Sequence, residues 1–341
     1  MHALDPSTGD QAIDRRMAIE TMLSEHFGRS VRVVQLHRQP FAYQTSATIE
    51  LWEVELDDGA RLPLLMKDLS RAALQPTARL TKPAFLHNPL REIAVYRHLL
   101  AEGEPGTAVC YGSLADAYGN RFWLLIERVG GRELYQIGEP ALWQAAARWL
   151  ARMHCLWAGR IEEIQRRAPL LNHDGAFYHS WLERAIQFQQ QHGQLGLIAW
   201  QRLVDGYDAV IERLVALPKT FLHGEFYASN VLIDDACQPL RVCPVDWEMA
   251  AVGPGLTDLA ALAAGRWSDD ERTALLDAYH SGLVECGAEP CSVADLRREL
   301  ELCRLHVAVQ WLGWSPKWTP PAEHAHDWLG EALQLAEKIG L

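Results

Sequence analysis

The stretch that decides the fold is His223-Gly224-Glu225-Phe226-Tyr227-Ala228-Ser229-Asn230-Val231-Leu232-Ile233-Asp234-Asp235-Ala236-Cys237-Gln238-Pro239-Leu240-Arg241-Val242-Cys243-Pro244-Val245-Asp246. Strand-forming residues at 231–234 and 240–245 flank a turn-rich segment, which predicts a β-hairpin. An antiparallel hairpin brings its two outer ends together. We therefore expect the side chains of Asn230 and Asp246 to lie side by side.

The open end of this hairpin carries a candidate catalytic and metal site. A carboxylate beside an amide oxygen is a ligand pair that suits Mg²⁺, so Asn230 and Asp246 are the predicted metal ligands. Glu225 lies five residues before Asn230 on the loop that leads into the hairpin. It is the candidate base that accepts or orients the proton of a substrate hydroxyl. The alternative interpretation is a tight polar hairpin without a site.

Composition narrows the class of protein. The chain has 341 residues, 49% of them hydrophobic, which suggests one two-lobed unit or two domains. Its seven cysteines form no C-x-x-C pair and fit a reducing cytoplasm, so zinc ribbons and redox motifs are not supported. The sequence shows neither a signal peptide nor a membrane span, so no membrane partner is expected.

The net charge of −12 disfavours binding to nucleic acid, and the charge is unevenly spread. Residues 1–130 carry 14 basic and 16 acidic side chains, whereas residues 131–341 carry 18 and 28. The acidic second part suits a cationic partner. Ordinary acidic solubility explains the same composition.

The first part of the chain reads as a meander of strands with one helix. Strands are predicted at 31–36, 47–56, 62–67, 108–115 and 122–128. A helix is predicted after Asn88, which can cap it, with Pro89 at its first position. The second part reads as mostly helical, with helices at 142–157, 178–192, 196–216, 269–286, 293–313 and 323–339. His154 is interpreted as a core histidine, and Asp258 as a helix cap.

Candidate phosphate contacts lie in the first part. Lys67 ends a predicted strand, and a buried lysine there needs a partner, for which Glu92 on the next helix is the obvious choice. Such a pair aims an ammonium group at nucleotide phosphates. Thr45 and Ser46 lie in the loop between the first two strands and can also face phosphate, although that loop has no glycine. A surface lysine and a plain hairpin loop are the competing interpretations.

Together these residues resemble the aminoglycoside phosphotransferase and choline kinase-like family. The resemblance spans roughly residues 30–335 in order and spacing. The matching pieces are Lys67, Glu92 in 91–96, the 223–230 loop, Val245-Asp246-Trp247-Glu248, and 253–260. It implies an α+β, bilobal protein-kinase-like fold, with a small antiparallel-sheet N-terminal lobe (1–130) and a mainly helical C-terminal lobe (131–341).

The resemblance also implies the chemistry. ATP or GTP binds at a hinge near Glu127–Gly130, with Glu127 and Val129 beside the nucleotide. Magnesium binds at Asn230 and Asp246. The γ-phosphate passes to a hydroxyl of a small metabolite or antibiotic. An acidic second lobe would favour a cationic acceptor. The sequence does not distinguish ATP from GTP as the phosphate donor. It also does not identify the acceptor or the oligomeric state.

One position departs from the family pattern. The family usually has Asp where this chain has Glu225, which is one methylene longer. Two functions are therefore expected as alternatives: a cytoplasmic small-molecule kinase, or a pseudokinase-like module that binds nucleotide or ligand without transfer.

Overall fold

The computed structural model describes residues 6–42, 46–103, 106–191, 197–289, 292–314 and 326–341, with the side chains of 6–14 left aside. The chain divides into two compact units. The first comprises residues 1–79 and 108–129, and the second comprises 80–107 and 130–341. The sequence suggested a single boundary near residue 130, whereas residues 80–107 group with the second unit. The division of function between the two lobes stays a prediction.

The first unit is a five-stranded antiparallel sheet accompanied by a long helix. Its elements are α1 (Pro6–Phe27), β1 (Val33–Pro40), β2 (Thr48–Leu56), β3 (Arg61–Asp68), β4 (Cys110–Asp116) and β5 (Arg121–Glu127). The strand order is β1-β2-β3-β5-β4. Lys67 of β3 pairs with Ile49 of β2 on one side and Leu124 of β5 on the other, so the lysine lies in the middle of the sheet.

One face of this sheet forms a core against helix α1. The alternation that predicted β2 places Trp52, Val54 and Leu56 in that core, each at most 2% exposed. Ile19 and Leu23 of α1 pack in the same cluster. Burial of large apolar side chains of this kind stabilises a fold by roughly 1.5–3 kcal/mol each. This packing fixes β3, the strand that carries Lys67.

The second unit is mainly helical. Its helices are α3 (Pro89–His98), α4 (Pro140–Trp157), α5 (Ile161–Arg167), α6 (Gly175–Gln191), α7 (Ile198–Ala216), α8 (Leu256–Leu262), α9 (Asp269–Glu285), α10 (Val293–Trp314) and α11 (Trp328–Lys338), and α2 (Pro76–Thr81) lies where the two units meet in sequence. Asn88 caps α3 as predicted, since its Oδ1 accepts the N–H of Leu90 at 3.0 Å. His154 is 3% exposed, which confirms that it is a core residue.

Two small sheets complete this unit. Their strands are β6 (Arg132–Glu133), β7 (Leu171–Asn172), β8 (Lys219–Leu222), β9 (Val231–Asp234), β10 (Arg241–Pro244) and β11 (Ala251–Pro254). The predicted hairpin is confirmed, because β9 and β10 pair antiparallel with Val231 opposite Pro244. Strands β8 and β11 pair beside it, and the loop that contains Glu225 leaves β8.

The observed architecture confirms the predicted α+β class, with an antiparallel sheet in the N-terminal region and a helical C-terminal part. In the described parts of the chain, no helix combines the length and apolar character needed to cross a membrane.

Candidate active site

Asp258 holds the start of the loop that carries Glu225. Its carboxylate accepts the backbone N–H of His223 at 2.7 Å and that of Gly224 at 2.9 Å. The prediction that Asp258 caps a helix is wrong: Gly255 occupies the cap position, and Asp258 lies in the first turn of α8 with its side chain on the loop. Two backbone donors converge on this one buried carboxylate, and they fix the direction in which the loop leaves β8.

The charge of Asp258 is maintained by its partners. Burial alone would raise the pKa of this carboxyl, but its hydrogen bonds with the His154 side chain and with the backbone N–H of Gly224 lower it below its ordinary value. His154 Nε2 lies 3.3 Å from Asp258 Oδ2, and its Nδ1 lies 2.8 Å from the hydroxyl of Tyr279. A chain of buried polar contacts therefore joins helices α4 and α9 to the loop.

His223 fastens the loop to the hairpin. Its Nε2 lies 2.9 Å from the carbonyl oxygen of Val245, and its Nδ1 accepts the backbone N–H of Glu225 at 3.3 Å. This bonding assigns the neutral tautomer with the proton on Nε2. The ring is fully buried. With both ring nitrogens engaged, His223 holds the loop against the hairpin.

Position 224 of the loop accepts only glycine. Its φ is +87°, and a Cβ atom built on it would lie 2.1 Å from the carbonyl oxygen of Met249. Only glycine adopts this conformation without strain and also leaves room for that carbonyl. The next residue, Glu225, is thereby turned toward the end of the hairpin.

The structure brings the two predicted metal ligands to the same end of the hairpin. The backbone N–H of Val245 donates to the carbonyl of Asn230 at 2.9 Å, so Asp246 follows directly beside Asn230. The side-chain amide of Asn230 donates from Nδ2 to the carbonyl of Glu225 at 3.0 Å. That bond points the amide oxygen away from the loop backbone. Metal binding by these residues stays a prediction.

Asp246 has an unusual backbone conformation. Its φ and ψ are 67° and 66°, in the left-handed region that non-glycine residues rarely occupy. Such conformations cost of order 1–3 kcal/mol and concentrate at functional sites. Asp and Asn tolerate the region better than other side chains.

Negative charge converges on Glu225. Its side chain keeps some exposed surface. Burial of the carboxyl and the negative charges of Glu248 and Asp246 together raise its pKa to about 8, against the opposing positive charge of Lys82. Glu225, Asp246 and Glu248 are therefore close enough to repel one another. A divalent cation at Asp246 would relieve that repulsion.

Two basic residues that the sequence reasoning missed support this site. Lys82 Nζ forms a 2.6 Å ion pair with Glu248 Oε2. Arg91 binds three carbonyl oxygens with its guanidinium, at 2.8 Å for Leu86, 2.7 Å for Glu248 and 3.1 Å for Pro169. Burial lowers the pKa of Arg91 to about 10, so it stays charged. Lys82 lies in a loop without periodicity, and nothing in the sequence marked it.

The predicted nucleotide contacts are distributed over both units. Lys67 is only 4% exposed, in β3, and Glu92 is 1% exposed, in α3, where its Oε1 accepts the backbone N–H of Trp247 at 3.2 Å. Glu92 thus holds the residue after Asp246, a contact that the sequence did not suggest. The predicted ion pair of Lys67 with Glu92 stays a prediction.

The remaining predicted contacts lie in the first unit. Ser46 lies in the β1–β2 loop, and its carbonyl accepts the N–H of Gln75 at 2.9 Å. Thr45 lies outside the described residues. Glu127 ends β5, and its Oε2 accepts the N–H of Val109 at 3.1 Å, with Val129 two residues further on.

An aromatic cluster lies next to the loop. The ring of Tyr227, two residues after Glu225, lies 5.3 Å from that of Trp311, and Trp311 stacks on Trp328 at 5.1 Å. His326 contacts Trp328 edge-on at 4.5 Å. We refer to Tyr227, Trp311, Trp328 and His326 as the aromatic cluster. The signal for it in the sequence was the count of 13 tryptophans, which does not show which of them meet.

The side-chain oxygens of Asn230 and Asp246 suit Mg²⁺, but they supply only part of its coordination sphere. Carboxylate and amide oxygens are the ligands that Mg²⁺ prefers, and it keeps waters or takes phosphate oxygens for the rest of its octahedron. Among the described residues, no group of three or more His, Cys, Asp or Glu side chains forms a complete metal site. Asn230 and Asp246 would therefore hold magnesium together with a nucleotide and water.

Comparison with known proteins assigns the class of this chain. The model of a family described as "Phosphotransferase enzyme family" matches residues 52–296, which include strands β3 to β5 of the larger sheet, α3, the loop and the hairpin. The chain therefore belongs to the phosphotransferase enzyme family. A search of curated proteins finds no significant match.

Solved structures share the fold at low sequence identity. A putative aminoglycoside phosphotransferase from Ralstonia eutropha is 16% identical, with a TM-score of 0.58 over 94% of this chain and 98% of that chain. The GDP complex of aminoglycoside 2'-phosphotransferase-IIIa is 12% identical, with a TM-score of 0.55 over 95% and 98%. An ethanolamine kinase from Plasmodium vivax is 12% identical, with a TM-score of 0.55 over 90% and 82%.

Proposed function

We propose that this protein is a cytoplasmic kinase that moves the γ-phosphate of ATP or GTP to a hydroxyl of a small cationic metabolite or antibiotic, with Mg²⁺. One observation carries the proposal. The loop held by Asp258 and the hairpin bring Glu225, Asn230 and Asp246 to one place. A base, an amide and a metal carboxylate are the parts that phosphoryl transfer requires.

Glu225 takes the acceptor proton in this reaction. The acceptor oxygen forms a bond to the γ-phosphorus, the bond from that phosphorus to the bridging oxygen breaks, and the nucleoside diphosphate leaves. The hydroxyl proton passes to the Glu225 carboxylate, which must be ionised at that moment. Its raised pKa, about 8, makes it a stronger base than an ordinary glutamate.

Asn230 and Asp246 would hold magnesium, which neutralises charge on the phosphates as the bridging bond breaks. The amide of Asn230 is already oriented by its bond to Glu225. Asp246 is oriented by its left-handed backbone and by the contact of Trp247 with Glu92. These residues therefore need little rearrangement to bind the ion.

The nucleotide would contact the residues that the family resemblance selects, which are Lys67, Glu92, Thr45, Ser46, Glu127 and Val129. Lys67 supplies the positive charge for the phosphates. The GDP complex of the aminoglycoside phosphotransferase of similar fold supports a nucleotide as phosphate donor.

The aromatic cluster and the acidic second part of the chain support a cationic acceptor. Aromatic faces attract ammonium groups by about 0.5–2 kcal/mol, more when water is excluded. Burial and, after it, the nearby Glu225 carboxylate raise the pKa of Tyr227, so a cation on the cluster lies within reach of the base.

A matched pair of acceptors tests this proposal. Purified protein with Mg²⁺ and ATP or GTP is offered choline and its uncharged carbon analogue 3,3-dimethylbutan-1-ol, together with aminoglycosides and other amino alcohols. Phosphorylated product is measured by mass spectrometry. We expect turnover of one or more amine acceptors and none of the carbon analogue. Equal turnover of charged and neutral partners would contradict the cationic assignment.

The second candidate is a binding module without transfer. The observation that favours it is the pKa of Glu225, because a protonated carboxyl at neutral pH cannot accept a proton. A thermal shift with Mg²⁺ and nucleotide, but no product from any acceptor between pH 6 and 9, would establish this alternative.

A further inference from the structure

Helices α4 and α9 run side by side in the same direction. Near their N-terminal ends the rings of Trp143 and Trp267 lie 4.6 Å apart. Further along, a Cβ atom built on Gly282 would lie 2.8 Å from the Cβ of Ala151, so the two backbones approach as closely as a glycine permits. The helices are therefore in close contact along their length.

Two cysteines face each other one turn beyond that contact. Cys155 lies four residues after Ala151, and Cys286 lies four residues after Gly282, so both fall on the faces that meet. Cys286 lies close enough to Cys155 to act on the pKa of its thiol. Cys155 is partly buried and Cys286 is exposed, and both are free thiols.

The two thiols differ in accessibility to a reagent. Burial, and after it the neighbouring Cys286, raise the pKa of Cys155 to about 11, so Cys155 stays protonated at neutral pH. Cys286 ends helix α9 at the surface. A reagent from solution therefore meets Cys286 first.

We propose that Cys155 and Cys286 form a dithiol site that reacts with low-molecular-weight disulfides and closes to an intramolecular disulfide. The Cys286 thiolate attacks one sulfur of the small disulfide and expels one thiol, which leaves a mixed disulfide on Cys286. Cys155 then loses its proton to solvent and attacks the Cys286 sulfur, and the second small thiol leaves. Two protein thiols are oxidised by two electrons, and one small disulfide is reduced to two thiols.

The site lies on the elements that position the candidate catalytic loop. Cys155 directly follows His154, which contacts both Tyr279 of α9 and Asp258. A bond between Cys155 and Cys286 would tie the ends of α4 and α9 next to this polar chain. The inference concerns the thiols alone and does not depend on the proposed kinase activity.

Mass spectrometry after treatment with oxidised glutathione tests the site. The full-length protein is incubated with the reagent, its remaining thiols are alkylated, and it is digested with trypsin without reduction. We expect the peptide Met153–Arg160 to be linked to Thr273–Arg297. Because Cys291 lies on the second peptide, the link must also form in Cys291→Ser. Cys237→Ser, which removes another partly buried thiol, serves as a matched control and should keep the link.

Two results would overturn the site. One is a lasting glutathione adduct on Cys286 of the wild-type protein, with Cys155 still alkylated. The other is loss of the link in Cys291→Ser. Either would show that Cys155 does not reach Cys286.

Thermal unfolding gives an independent measurement on the wild-type protein. Because the bond would close a long loop, the oxidised protein should melt at a temperature higher by about 3–6 °C, and dithiothreitol should reverse the change. Cys155→Ser should show no such shift. An unchanged melting temperature in a fully linked protein would mean that the bond strains the helices.

Discussion

Lys82 Nζ lies 2.6 Å from Glu248 Oε2, and the two side chains are only 7% and 16% exposed. This ion pair is the positive counterpart to the carboxylates around Glu225, whose pKa Lys82 lowers. Removing one partner of a buried pair leaves an uncompensated charge, which typically costs 3–5 kcal/mol. The electrostatics of the candidate base therefore depend on a residue far from it in sequence.

Lys82→Met should move the acid limb of the pH profile upward. Without the ammonium group the pKa of Glu225 rises, so kcat/KM falls at neutral pH and recovers only at higher pH. Lys82→Arg, which keeps the charge, should retain the wild-type profile. The measurement is kcat/KM against pH with a responsive acceptor, and coincident profiles for wild type and Lys82→Met would contradict this electrostatic role.

Glu225→Gln should lower kcat by roughly 10²–10⁴-fold, the usual span for a positioned general base. Nucleotide affinity should barely change, because the residue serves the acceptor. Glu225→Asp should keep part of the activity. Turnover and nucleotide dissociation constants are measured for all three proteins. A Glu225→Asp variant that is active where the wild type is inert would identify a binding module.

The same residue should make stability depend on pH. The folded pKa of Glu225, about 8, exceeds its ordinary 4.5, so between these values the folded protein binds a proton that the unfolded chain has released. Stability therefore falls as pH rises through this window, by up to about 1.4 kcal/mol per pH unit. Because Glu225→Gln removes the titrating carboxyl, its stability does not fall in this way. The melting temperature of the variant minus that of wild type should therefore increase from pH 5 to pH 8 and then become constant. A difference independent of pH would exclude the raised pKa.

Asp246→Asn should remove Mg²⁺-dependent turnover while the fold survives, because Asn also tolerates the left-handed backbone at this position. Asn230→Ala should reduce turnover less. Activity is titrated against Mg²⁺ for both variants and for Asp235→Asn, an exposed carboxylate in the hairpin turn that serves as control. Wild-type kinetics in Asp246→Asn would rule out a metal ligand there.

Lys67→Ala should weaken nucleotide binding by roughly 10–100-fold, the loss expected for one charge-assisted contact. The exposed Lys219 provides the control substitution, Lys219→Ala, with no expected effect. Dissociation constants are measured by calorimetry, with circular dichroism to check folding. If Lys67→Ala unfolds instead, a conservative Lys67→Met variant separates a structural role from phosphate binding.

The sequence predicted the elements better than the contacts between them. The hairpin and the strand that carries Lys67 followed from alternation and turn residues, which are local signals. Lys82 and the carboxylate of Asp258 were missed or misassigned, because each acts on a segment distant in the chain. Glu92 illustrates this difference. The Asn88 cap predicted its helix, whereas nothing in the sequence predicted its hydrogen bond with the Trp247 backbone.

The close approach of Gly224 to the carbonyl of Met249 bears on how this loop can be moved between proteins. The eight residues from His223 to Asn230 have their shape only because a turn some 25 residues later supplies that carbonyl and Asp258 supplies two acceptors. Grafted alone onto a foreign hairpin, the octapeptide would lose all of these supports. The continuous segment 223–258 keeps both of these supports, but in this protein His154 of α4 and Glu92 of α3 hold that segment in turn, so a graft must also replace their contacts.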